Sequence, residues 1–147
     1  MKLQARLSMV AVLFGFAVAA ANAQELGGTQ NGVPYLSGGV GEDSVARIQA
    51  RAKDFNLKLL FTLVEGNYLA DIGVTIQDSS GKTLVDQVAD GPFFLAKLPA
   101  GSYTIAATNY GKTQTRKVHV SANGLHSEQF RWASTPEDHP TLSDARN

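Results

Sequence analysis

LPAGSYTIAA, residues 98–107, is the stretch that decides the fold. Pro99 fixes φ, and Gly101 removes a Cβ clash, so the chain can reverse sharply between two strands. From Ser102 onward polar and apolar residues alternate, and Tyr103, Ile105 and Ala107 fall on one face of a strand. Tyr103 stands two places after the glycine. Its ring can fill core while its hydroxyl reaches backbone at the edge of a sandwich, as tyrosine-corner residues do. Leu98, Pro99, Gly101 and Tyr103 therefore read as a structural corner, not as catalytic groups.

The two-residue period extends in both directions from this corner. Upstream lie strands at Asn56–Val64, Ile72–Gln77, Thr83–Ala89 and Phe93–Leu98. Downstream they follow at Thr113–Val120 and Leu125–Trp132. Turn clusters such as DSSGK, NYGK and SANG separate several of them. With the central strand, Ser102–Asn109, this makes seven. No helical pattern interleaves them, so the expectation is a mainly β chain: a seven-stranded antiparallel Greek-key sandwich of immunoglobulin-like kind. Ahead of it, Val45, Ile48, Ala52 and Phe55 recur at three- and four-residue steps, with Glu42 and Asp43 leading and Arg51 and Lys53 trailing. That pattern predicts one amphipathic helix over residues 42–55. Residues 24–41, rich in Gly, Asn, Gln and Ser, read as a flexible lead-in. The sandwich spans 56–132, and the polar tail 133–147 is expected to be disordered.

The chain opens with Lys2 and Arg6, an apolar run from about Met9 to Ala20, and Ala21-Asn22-Ala23. This predicts a cleaved secretory signal over residues 1–23, cut between Ala23 and Gln24, and hence a periplasmic or secreted protein. The run is too short to span a bilayer, which takes about 20 apolar residues, and no later segment is longer. Formal charge is +0, slightly negative once the leader is gone. With no basic block, nucleic-acid binding and polybasic lipid binding are not expected. There is no cysteine, so stability must come from the core and not from disulfides.

Gly81, Val85 and Val88, followed by GPFFLAKLPAGSYTIAATNYGKTQTRKVHV, resemble a carboxypeptidase regulatory-like domain. Leu98, Gly101, Tyr103, Ile105, Ala107, Gly111, Val118 and Val120 carry the likeness, over roughly Leu57 to Val120. The arrangement as a whole resembles small exported bacterial proteins bearing that domain. The resemblance implies a transthyretin-like or starch-binding-like sandwich, and no particular activity.

Chemical motifs are sparse. Gly81-Lys82-Thr83 and Gly111-Lys112-Thr113 lack the upstream glycine of a phosphate loop, since Ile76 and Ala106 stand there. SGGVGEDS leads into a helix N-terminus whose own Glu42 and Asp43 would repel a phosphate. His119 and His126 flank the SANG turn. One loop geometry sets them opposite each other, and the alternative sets His119 opposite Glu128. Two ligands make a weak metal site, so no metal and no cofactor are expected. Phe93 and Phe94 point to opposite faces of a strand. One fills the core; the other is covered by the helix stripe or marks a contact surface. Tyr110, Trp132 and Tyr68 could stack a sugar, although packing is the favoured reading. Phe93, Phe94, Tyr110 and Trp132 are thus the candidate contact surface. The expected role is a non-catalytic protein-interaction or envelope-associated structural module. A glycan or small-ligand binder is the alternative, and a transthyretin-like hydrolase is the least supported. The partner is an envelope protein or a glycan.

Overall fold

A computed structural model describes residues 26–134. The predicted signal and its Ala23–Gln24 junction lie outside them, as does the tail beyond Ser134. Among the described residues there are nine strands: β1 Leu26–Gln30, β2 Val33–Gly38, β3 Leu57–Leu63, β4 Ile72–Asp78, β5 Thr83–Ala89, β6 Phe93–Ala96, β7 Gly101–Asn109, β8 Lys112–Val120 and β9 His126–Trp132. Helix α1, Glu42–Arg51, runs into a 3₁₀ turn at Ala52–Asp54. One sheet has the order β1-β2-β6-β3-β9 and the other β5-β4-β7-β8. Their inner faces share a core in which Phe61, Phe94 and Phe130 meet Val74, Ile76 and Ile105. The fold is mainly β and sandwich-like.

β3 to β9 fall within a residue or two of the seven strands predicted from alternation. Two expectations are corrected. The flexible lead-in expected over residues 24–41 is not loose where it is described: β1 and β2 form a hairpin through Asn31 (φ 48°) and Gly32 (φ 77°). This is the paired positive-φ turn that suits hairpin twist. The hairpin buries Val33 and Leu36. The sheets are not purely antiparallel either. β9 lies parallel to β3, from Leu57 opposite His126 to Leu63 opposite Trp132. β8 and β9 belong to different sheets, so the chain crosses between layers there and arrives alongside β3 in the same direction.

α1 forms a third layer. β2 and β3 are both antiparallel to β6 and so parallel to each other, and α1 carries the chain between them. Its predicted stripe packs on the outer face of the five-stranded sheet: Ile48 and Phe55 meet Leu36, Phe93 and Leu95. Burying such a side chain contributes about 1.5–3 kcal/mol. Phe94 faces the inter-sheet core and Phe93 lies under the helix. Gly39 permits the approach. It sits at φ 101°, and a Cβ there would lie 2.4 Å from the Phe93 ring.

Side chains clasp both open sides of the stack. Gln30 Oε1 accepts from Asp86 N, and Asn31 Nδ2 donates to Leu84 O, which ties the β1–β2 hairpin to the edge of β5. On the other side Gln114 Nε2 donates to Arg131 O, Arg116 Nη1 to Gln129 O, and Trp132 Nε1 to Lys112 O. Five edge backbone groups that would otherwise be open to pairing with another chain are thereby occupied.

Candidate functional site

The corner motif behaves as its sequence predicts. Tyr103 Oη donates to Pro99 O at 2.5 Å, and burial, with Asp78 nearby, pushes its hydroxyl pKa up. A partner that the sequence did not reveal locks the corner again. Buried Asn56 accepts from Leu98 N (2.8 Å) and donates to Leu98 O (2.7 Å) and Ser121 O (3.2 Å). The corner is therefore a joint between the two sheets.

The histidines are not brought together as a pair. β8 pairs with β7 and β9 with β3, so neither proposed hairpin geometry exists. His119 Nδ1 lies 3.3 Å from Ser102 Oγ. His126 Nε2 lies 2.8 Å from Glu128 Oε1, and Arg116 Nη1 is 3.2 Å from Glu128 Oε2. Desolvation pushes the Glu128 carboxyl up, but the His126 and Arg116 hydrogen bonds outweigh it and hold it below its ordinary value. Arg116 also lies over the Phe130 ring. Among the described residues no three His, Asp or Glu side chains gather as metal ligands, and no helix is long and apolar enough to cross a membrane.

The aromatic candidates divide. Phe94 and Trp132 are buried in the inter-sheet core, and Phe93 lies beneath the helix. These three are not contact surface. Trp132 is held there because its indole N–H finds Lys112 O at 3.1 Å. Tyr110 is exposed, at φ 44° on the β7–β8 turn. A bulky residue in the left-handed region is an uncommon and strained choice. Tyr68 is also exposed, its ring tilted across Phe93.

Registers place the exposed apolar residues. The β2 exit, the β3–β4 loop, the β5 end, the β7–β8 turn and the β9 end all lie at one pole of the sandwich. Hydrogen bonds tie them together: Val64 N to Trp132 O, Asp71 N to Ala89 O, and Trp132 to Lys112 O. This pole carries Val40, Val64, Tyr68, Val88 and Tyr110, each between 60% and 70% exposed. A groove of about 390 Å³ opens here. The α1 residues Glu42, Val45, Ala46 and Gln49 form one wall and Tyr68 the other. These four helix positions are spaced to make one stripe.

The chain matches no protein-family profile and no curated protein.

A second depression, about 310 Å³, lies at the opposite pole beside Asp78, Ser102, Thr104 and Lys117. Asp78 is already engaged. Its Oδ1 accepts from Ser80 Oγ, Ser80 N and Lys82 N, closing the β4–β5 turn and holding its pKa low. The first pole has apolar surface and an open wall. The second is polar and committed to its own turn.

Proposed function

We propose that this protein is a non-catalytic, exported β-sandwich module of Greek-key, carboxypeptidase regulatory-like type whose work is to hold another protein. The observation that carries the reading is the gathering of five large, exposed apolar side chains at one pole. Monomeric domains scatter such residues singly, and a gathering at one end, here on three connections and the end of β5, is a sign of an interaction surface. Loops at the end of a sandwich vary freely over a rigid frame, which suits them to binding. The ionisable groups support the same reading, because Glu128 and Asp78 are occupied by their own clasp and turn. The test is site-specific photo-crosslinking in the native envelope. A photoreactive residue replacing Val64 or Tyr110 at the apolar pole is expected to yield a discrete protein adduct, and one replacing Ser79 at the other pole is not. Equal labelling from both poles, or none, refutes the reading.

A second reading, glycan binding, is favoured by the exposed Tyr68 ring beside Glu42 and Gln49, a stacking surface with polar neighbours. Glycan-array binding that Tyr68→Ala removes would establish it in place of the first.

A further inference from the structure

The interaction reading leaves the partner undefined, and the charges around the apolar pole supply its chemistry. Glu42 and Asp43 open α1, Glu65 and Asp71 lie in the β3–β4 loop, and Asp90 follows β5. All five are exposed at the same end as Val40, Val64, Tyr68, Val88 and Tyr110. Among the described residues the cations on that end are Lys112 and Arg131, with Arg47 one turn beyond Asp43 on α1 and Lys58 Nζ 4.9 Å from the centre of the Phe93 ring. The opposite pole has the reverse bias, with Arg51, Lys53, Lys82, Lys97 and Lys117 against Asp54 and Asp78 among the described residues. The molecule is thus polarised along its strands, and its apolar end is its acidic end.

Resting on the interaction reading, we infer that the acidic apolar pole docks a cationic segment of another protein, anchored by an aromatic or large aliphatic side chain in the α1–Tyr68 groove. The groove supplies desolvated contact for one anchor. Val45 and Ala46 offer methyl groups, Tyr68 a ring face, and Phe93 closes the cleft behind the ring. Each exposed carboxylate contributes little alone. Together they outnumber the cations of that end and give a net negative field that speeds and selects encounter with a Lys- or Arg-bearing chain and fades with salt. The same field disfavours an anionic bilayer as occupant. A second copy of this chain would bring a basic pole, but among the described residues the large apolar residue exposed there is Leu125, well short of a matching apolar surface.

The test uses the full chain and short synthetic peptides of four kinds: cationic with Trp or Leu anchors, acidic with the same anchors, neutral with the same anchors, and cationic without anchors. Fluorescence anisotropy reads binding across a salt series. Anchored cationic peptides are expected to bind at least about tenfold tighter than the other three kinds. Tyr68→Ser/Tyr110→Ser should weaken them by about tenfold or more. Glu42→Gln/Asp43→Asn/Asp90→Asn should flatten the salt dependence. Val64→Ser, an exposed loop change, repeats the apolar test should the tyrosine pair disturb folding by circular dichroism. Preference for neutral or acidic anchored peptides that Tyr68→Ser/Tyr110→Ser removes overturns the inference and leaves the interaction reading standing. Self-association by sedimentation, or tighter binding to phosphatidylglycerol vesicles than to any peptide, overturns it in favour of that occupant. No binding to this pole by peptide, vesicle or second copy overturns both.

Discussion

Asn56→Ala is the sharpest probe of how this sandwich is joined. The amide side chain is almost fully buried and makes three hydrogen bonds, two to Leu98 backbone and one to Ser121 O. Removing it strands the Leu98 N–H and C=O inside the joint. Each hydrogen bond is worth a net of about 0.5–1.5 kcal/mol, and each buried group left unpaired costs about 1–3 kcal/mol. Ser121 is exposed, and water can satisfy its carbonyl, so the larger penalty falls on the two Leu98 groups. The expected loss is about 3 kcal/mol. In a domain of this size that lowers Tm by about 10–20 °C. Urea unfolding by circular dichroism measures it, with an unchanged m-value showing that the fold is retained. Asn56→Asp sharpens the test. Its Oδ1 still accepts from Leu98 N, but an anionic second oxygen faces two carbonyl oxygens. Burial raises that carboxyl pKa in the folded state. The folded state then binds more protons than the unfolded one, so stability of this variant should rise as pH falls from 7 towards 4. A loss below about 1 kcal/mol for Asn56→Ala, or a pH slope of the ordinary sign for Asn56→Asp, refutes the view that this side chain holds the corner.

Other consequences are equally open to measurement. Ile48→Ala should cost about 2–4 kcal/mol in chemical denaturation. It should be additive with Val74→Ala to within about 0.5 kcal/mol and non-additive with Phe93→Ala, because a sheet separates the two cores. Tyr103→Phe should lose about 1–2 kcal/mol with the far-UV spectrum intact, since the Pro99 carbonyl loses its partner. Glu128 has a folded pKa below its unfolded value, so it stabilises the fold above about pH 4.3, and that contribution disappears as pH drops through the folded pKa. Glu128→Gln should accordingly reduce the difference in stability between pH 7 and pH 3 measured by thermal melts.

Much of the fold was legible because β-strands write their burial at every second residue. Val74 and Ile76, Tyr103 and Ile105, and Val118 and Val120 each announced a buried face. That one of Phe93 and Phe94 would meet the helix followed from adjacent aromatics pointing opposite ways and an amphipathic stripe in need of a surface, but which one was not legible. The β1–β2 hairpin was misread because Gly27 and Gly28 suggested looseness. The Asn31-Gly32 dipeptide between Gln30 and Val33 was the signal that could have found it. The parallel alignment of β3 and β9 leaves no local trace, since it depends on which layer a connection crosses into. The apolar pole was illegible for a related reason. Val40, Val64, Tyr68, Val88 and Tyr110 stand in four separate segments, each unremarkable alone, and only strand register brings them to one end. Asn56 looked like the polar start of a strand, and its partners lie 42 and 65 residues away.

The partnership of β3 with β9 also dictates when this protein can become itself. Thr62 and Gln129 are 67 residues apart along the chain and meet at 3.1 Å. Bringing such distant segments together must offset loop-closure entropy before any contact rewards it, so assembly is slow relative to local helix or hairpin formation. The five-stranded layer stays one strand short until β9, His126–Trp132, is in place. A chain synthesised from its amino end therefore holds that layer open until its ninth strand can dock beside the third.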